Sequence, residues 1–139
     1  MTDTMEMLRQ AKAACPAAAA LSAGQCNEAL RAMAAALRQE TAAILAANAQ
    51  DVAAAKEKLG PVMVDRLQLN AARVESMAQG LEALCALPSP LGRVLAAHTR
   101  ADGLRIEKTA VPLGVVAIIY ESRPNVTSDA AGLALKSGN

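Results

Sequence analysis

Val115-Val116-Ala117-Ile118-Ile119 is an unbroken apolar run, and Tyr120-Glu121-Ser122-Arg123-Pro124-Asn125 follows it without a gap. Such a run is the pattern of a strand buried on both faces, as in a parallel sheet. Glu121–Asn125 is a polar turn containing Pro124. A helix is predicted from about Val126 to Lys136, with Asp129 in its first turns, favourable to the helix dipole. Gly138 is placed to stop it as a C′ residue. The order is strand, polar loop, helix, stop. In open α/β sheets ligands bind at the carboxyl ends of strands. Glu121, Ser122, Arg123 and Asn125 would stand at that end, beside backbone N–H groups able to bind an anion. Arg123 is a natural partner for a phosphate or carboxylate. The plainer alternative is a surface ion pair between Glu121 and Arg123, with Asn125 as an N-cap. The chain has no G-x-G-x-x-G and no P-loop lysine motif.

Working outward, Leu104–Val111 alternates Leu104, Ile106, Thr109 and Val111 with Arg105, Glu107 and Lys108. It is expected to form a half-exposed edge or bridging strand. A strand buried on both faces needs parallel neighbours, each reached by a crossover of a dozen or more residues. Leu104–Val111 is too charged and too close to serve. The sheet that Val115–Ile119 calls for is therefore incomplete in this chain. The expectation is the front of a longer protein, or a sheet completed by other chains.

Upstream, the pattern is helical. Met5 and Leu8 open a weak helical face, and Pro16 interrupts it or starts a second short helix. Ser22 and Gln25 have capping-box spacing. Leu30, Met33, Ala34, Leu37, Thr41, Ile44 and Leu45 then recur at helical period, predicting one long amphipathic helix. Asn48 ends it or caps the next. Gly60 is expected as a C′ residue with positive φ, and Pro61 as the start of a short turn through Leu67. Asn70 is an N-cap, with Leu69 and Val74 at the positions of a hydrophobic staple. That helix stops before Pro88.

Composition narrows the classes. The 139 residues are 53% hydrophobic and 19% charged, with a net charge of +1. This is globular composition, with no electrostatic reason to expect nucleic acid or a membrane surface. About a quarter of the chain is Ala, which favours helix. Tyr120 is the only aromatic residue, too few for a base-stacking platform. Cys15, Cys26 and Cys85 have no C-x-x-C spacing, and an odd count argues for packing roles in a reducing compartment. His98 is alone, so no metal site is expected. Asp3 and Glu6 make the start acidic, against a secretory signal. No apolar run reaches membrane-spanning length. A cytoplasmic location is expected.

Three segments carry a resemblance to a known family. They are Pro112-Leu113-Gly114-Val115-Val116, then Ile119-Tyr120-Glu121-Ser122-Arg123-Pro124-Asn125-Val126-Thr127, then Leu135-Lys136-Ser137-Gly138-Asn139. They resemble the γ-glutamyl phosphate reductases, also called glutamate-5-semialdehyde dehydrogenases, of the aldehyde dehydrogenase superfamily. Ala47–Val52 and Asp65-Arg66-Leu67 look like the N-terminal region of that family. The resemblance implies an N-terminal part of an α/β enzyme: a helical region over 1–103, an oligomerisation-type strand over 104–111, and the start of the cofactor-binding domain over 112–139. It implies reduction of L-γ-glutamyl 5-phosphate to L-glutamate 5-semialdehyde with NADPH, in proline biosynthesis, through a thioester on a cysteine. In the family that cysteine lies beyond the position of Asn139, so Cys15, Cys26 and Cys85 match no catalytic position. Arg123 and Asn125 would contact substrate, and Tyr120, Glu121 and Ser122 would approach the cofactor. The superfamily's loop asparagine stands where this chain has Ser122, so no oxyanion role is carried over. The full-length protein would be a homo-oligomer acting on a small acyl phosphate, and the 139 residues alone would be inactive. The competing expectation is a non-enzymatic helical module that pairs with a partner through its β element. A third keeps the superfamily and changes the substrate.

Overall fold

Capping signals set where the helices begin. The computed structural model describes residues 3–139. Asp3 caps the first helix, α1 (Thr4–Ala19), by accepting from the Met5 N–H at 3.2 Å. Pro16 neither breaks α1 nor starts a new helix; it lies inside the last turn. There it forfeits one bond, to the exposed Lys12 carbonyl, at a point where the helix is about to end. The capping box forms as expected at α2 (Ala23–Gln39): Gln25 N–H donates to Ser22 Oγ at 3.3 Å, and Ser22 N–H to Gln25 Oε1 at 3.0 Å.

The predicted long helix is two helices. It breaks at Glu40, whose φ is −92° and ψ 9°, and α3 (Thr41–Ala55) begins at the next residue. The Thr41 hydroxyl donates to the carbonyls of Leu37 and Arg38, both at 2.9 Å. Such back-bonding competes with the helix ladder and bends it. Asn48 neither ends nor caps a helix. It is buried in mid-α3, donating to the Leu67 carbonyl at 2.9 Å and accepting from the Leu69 N–H at 2.7 Å. Gly60 is not a positive-φ C′ residue; its φ is −67° and it precedes α4 (Pro61–Leu67), with Pro61 at the start. Asn70 caps α5 (Ala71–Ala86) by accepting from the Arg73 N–H at 2.8 Å.

Asn48 is thus the clamp on the α4–α5 link. Asn48→Ala is expected to cost about 2 kcal/mol, because it strands one partly buried donor and one acceptor. Urea unfolding measures it. A loss under about 0.5 kcal/mol would mean that water replaces the amide.

The core lies between α2 and α5. Cys26, Leu30, Ala34, Ala78 and Leu81 form it, flanked by Met33, Leu37, Leu84, Cys85 and Leu135. Arg38 of α2 bridges Glu75 (2.8 Å) and Glu82 (2.9 Å) of α5 at the rim, and its guanidinium holds both carboxyls below their ordinary range. The last helix, α6 (Asn125–Lys136), lies over both through Gly132, where an added Cβ would meet Leu81 Cδ2 at 2.5 Å and Leu84 Cδ1 at 2.9 Å. Lys136, 7% exposed, donates to Asn27 Oδ1 at 2.8 Å, and Asn27 Nδ2 donates to the Cys85 carbonyl at 3.2 Å. One amide therefore joins α2, α5 and α6.

The sheet is a two-stranded antiparallel hairpin, β1 (Val94–Thr99) and β2 (Arg105–Thr109), with His98 opposite Ile106 and a register irregularity between Val94 and Ala96. β2 falls inside the predicted Leu104–Val111 strand. β1 was not foreseen: its alanines and His98 have little β preference, and pairing with β2 decides it. All residues of both strands are exposed. Val115–Ile119 forms no ladder among the described residues, and Ile119 is 100% exposed. The fold is α/β with an incomplete sheet, as expected. The run patterned for burial on two faces has no strand beside it among the described residues.

Candidate functional site

The end of α6 positions the loop that precedes it. Gly138 takes φ +73°, its N–H donates to the Leu135 carbonyl at 3.1 Å, and the Asn139 N–H donates to the Ala134 carbonyl at 2.9 Å. These are the two bonds of a Schellman stop. The motif aims the Asn139 side chain at Pro112–Gly114, where Asn139 Oδ1 accepts from the Leu113 N–H at 2.6 Å and the Gly114 N–H at 2.9 Å. From this anchor Val115–Ile119 runs to Tyr120. The Tyr120 hydroxyl meets Thr127 Oγ1 at 2.5 Å, tying the far end of the run to the first turn of α6.

Between these ties lies the turn. Ser122 has φ +51°, the one positive φ at a non-glycine residue among those described. A left-handed serine costs about 1–2 kcal/mol, and such strain collects at functional sites. Pro124 follows and fixes the entry to α6. Asn125 is the first residue of α6 and not its N-cap; its Nδ2 donates to Asp129 Oδ2 at 3.1 Å. The Glu121–Arg123 ion pair of the alternative reading is absent among the described residues. Both side chains are exposed and uncommitted. The first turn of α6 carries no acidic residue. Arg123 thus stands beside a helix start that attracts negative charge.

A cleft of about 340 Å³ opens next to Asn125, and sequence reasoning did not find it. Its walls are Asp65 and Arg66 of α4, Arg73 and Ser76 of α5, and Asn125 and Asp129 of α6. Arg73 is fully engaged: it donates to the Asp65 and Gln68 carbonyls and to the Asp65 carboxylate at 3.2 Å. Arg66 is different. Its one hydrogen-bonding neighbour is Met63 Sδ at 4.0 Å, and no carboxylate pairs with it among the described residues. The Asp65-Arg66-Leu67 string was the available signal, but only the packing of three helices makes it a wall.

The three cysteines are free, and each thiol is turned to backbone carbonyls: Cys15 to Ala11, Cys26 to Leu135, Cys85 to Asn27 and Leu81. Among the described residues no group of three His, Cys, Asp or Glu is placed to hold a metal ion. No described helix is long and apolar enough to cross a membrane.

No protein-family model matches the chain. Known relatives do. It is 60% identical over 114 residues to the gamma-glutamyl phosphate reductase of Paramagnetospirillum magneticum, covering 81% of this chain and 27% of that protein. The enzyme of the same name from Moorella thermoacetica is 54% identical over 132 residues, covering 94% of this chain and 32% of that protein. Among solved structures, gamma-glutamyl phosphate reductase from Thermotoga maritima superposes with a TM-score of 0.92 at 39% identity, over 97% of this chain and 33% of that one. The protein of that name from Saccharomyces cerevisiae gives 0.91 at 32% identity, over 100% of this chain and 36% of that one. The chain spans about a third of the length of the relatives it matches. The resemblance carried by Pro112–Asn139 is borne out in sequence and in fold.

Proposed function

We propose that this chain is the N-terminal part of a γ-glutamyl phosphate reductase, converting L-γ-glutamyl 5-phosphate to L-glutamate 5-semialdehyde in proline biosynthesis. The observation that supports it most is the likeness at both levels: 60% identity to a protein of that name and a TM-score of 0.92 to a solved one. The division follows the one above: helical region 1–103, oligomerisation element 104–111, and the opening of the cofactor-binding domain at 112–139. In this reading the hairpin joins copies of a cytoplasmic homo-oligomer, without nucleic acid or membrane.

Arg123 receives the phosphate of the substrate, held at the α6 start by charge and by the helix dipole. Asn125 supplies a polar contact near the reacting carbonyl. Tyr120, Glu121 and Ser122 face the NADPH side. The exposed Tyr120 ring offers a flat wall and the uncommitted Glu121 carboxylate an acceptor for a hydroxyl or carboxamide, so the donor set suits a dinucleotide. When bound, NADPH supplies the hydride. The nucleophilic cysteine comes from outside these residues, as the resemblance implies; Cys15, Cys26 and Cys85 lie in the helical region with their thiols on backbone carbonyls.

The test is phosphate-dependent reduction of NADP⁺ by L-glutamate 5-semialdehyde. The 139 residues alone are expected to give no turnover, and the frame extended to the length of the relatives is expected to give it. Arg123→Ala in the extended protein should lower kcat/KM by about 10- to 100-fold, the worth of a charge-assisted hydrogen bond. Turnover by the short chain, or none by the long one, overturns the proposal.

A further inference from the structure

We infer that the cleft between α4, α5 and α6 recognises the amino-acid end of the substrate, with Arg66 taking the α-carboxylate and Asp129 the α-ammonium. The inference rests on the reductase reading above. An amino-acid head is a cation and an anion on one carbon, and its recognition needs one fixed charge of each sign. The cleft supplies them. Of its two arginines, Arg73 is consumed by Asp65 and two carbonyls, leaving Arg66 available. Of its two carboxylates, Asp65 is consumed by Arg73, leaving Asp129, which accepts one bond from Asn125 and pairs with no cation among the described residues. Ser76 adds a hydroxyl, though its proton is given to the Ala72 carbonyl at 3.0 Å, so it is present there as an acceptor.

Placement supports the same substrate. Asn125 lines the cleft and lies two residues after Arg123. A γ-glutamyl phosphate with its phosphate at Arg123 would pass Asn125 and present its other end to the cleft. The walls that carry the two free charges, α4 and α6, are held in place by interactions already described: α4 by Arg73 and Asn48, α6 by Gly132 and Lys136. The backbone positions that carry the two charges are therefore fixed, which favours binding.

The test uses the protein at the length of its relatives and three aldehydes: L-glutamate 5-semialdehyde, 4-aminobutanal (no carboxylate) and 5-oxopentanoate (no ammonium). Arg66→Met should lower kcat/KM for the semialdehyde and for 5-oxopentanoate by about 10- to 100-fold and leave 4-aminobutanal unchanged. Asp129→Asn should lower the semialdehyde and 4-aminobutanal similarly and leave 5-oxopentanoate unchanged. KM for NADP⁺ should not move with either. Equal loss on all three aldehydes, or no loss on any, overturns the assignment. A second readout is independent of turnover: calorimetric binding of L-glutamate, weakened about tenfold or more by each variant. Glutamate binding with this pattern in a protein without reductase activity would sink the reductase reading and keep the cleft. Reductase activity with neither variant affecting glutamate or aldehyde selectivity would do the reverse.

Discussion

Gly132→Leu is expected to lower the unfolding free energy by about 3 kcal/mol. Two effects oppose each other. Leucine is the better helix former by roughly 0.8–1 kcal/mol, and Gly132 sits inside α6 where that gain is available. Against it stands the packing: the first added atom alone would lie 2.5 Å from Leu81 Cδ2, 2.9 Å from Leu84 Cδ1 and 3.6 Å from Leu30 Cδ2. Leu30 and Leu81 are 0% and 1% exposed, so neither has open space to turn into. Three further carbons must then be placed. Packing wins, and α6 lifts from the α2–α5 platform. The measurement is urea unfolding, with Gly132→Ala as the intermediate case. A rise in the midpoint for leucine would show that α6 does not seat through this residue.

Gly138→Val should cost about as much, about 3 kcal/mol, for a different reason. The φ of +73° is left-handed, where a β-branched residue is strained. The new Cβ would also stand 2.7 Å from Leu91 Cδ1 and 3.2 Å from Pro112 Cγ. The consequence reaches the candidate site, because the same turn aims Asn139 at the Leu113 and Gly114 amides. Hydrogen exchange at those two amides should speed up together with the loss of stability. Asn139→Ala should speed the same amides with a smaller loss of stability, which separates the anchor from the helix stop. Unchanged exchange in both variants would mean that the loop is held by something else.

Signals confined to one turn were legible in the sequence. Ser22 with Gln25, Asn70 before Arg73, and Gly138 after Lys136 each act within four residues, so spacing suffices. Signals that depend on distant partners were not. Asn48 has a capping residue's chemistry, yet its partners lie 19 and 21 residues away and hold it in mid-helix. Thr41 fits a helical stripe, while its hydroxyl bonds back to the Leu37 carbonyl where the helix breaks. β1 exists because β2 lies beside it. The site divides along the same line. The Tyr120–Asn125 turn is continuous and could be named from its residue types. The cleft is assembled from residues 65, 66, 73, 76, 125 and 129, and its meaning depends on which charges are already spent, which only packing decides.

Asn27, joining Cys85 and Lys136, and Gly132, seated on Leu30 and Leu81, give the fold an order in time. α6 has no place to dock until α2 and α5 have met, and that pair is complete at Ala86. During synthesis, at about 5–20 residues per second, Asn125–Lys136 leaves the ribosome on the order of seconds after the last residue of that pair. Throughout that interval nothing in the chain yet covers the leucines that will hold Gly132. The late arrival of one glycine thus leaves that face of the pair open for the whole of it.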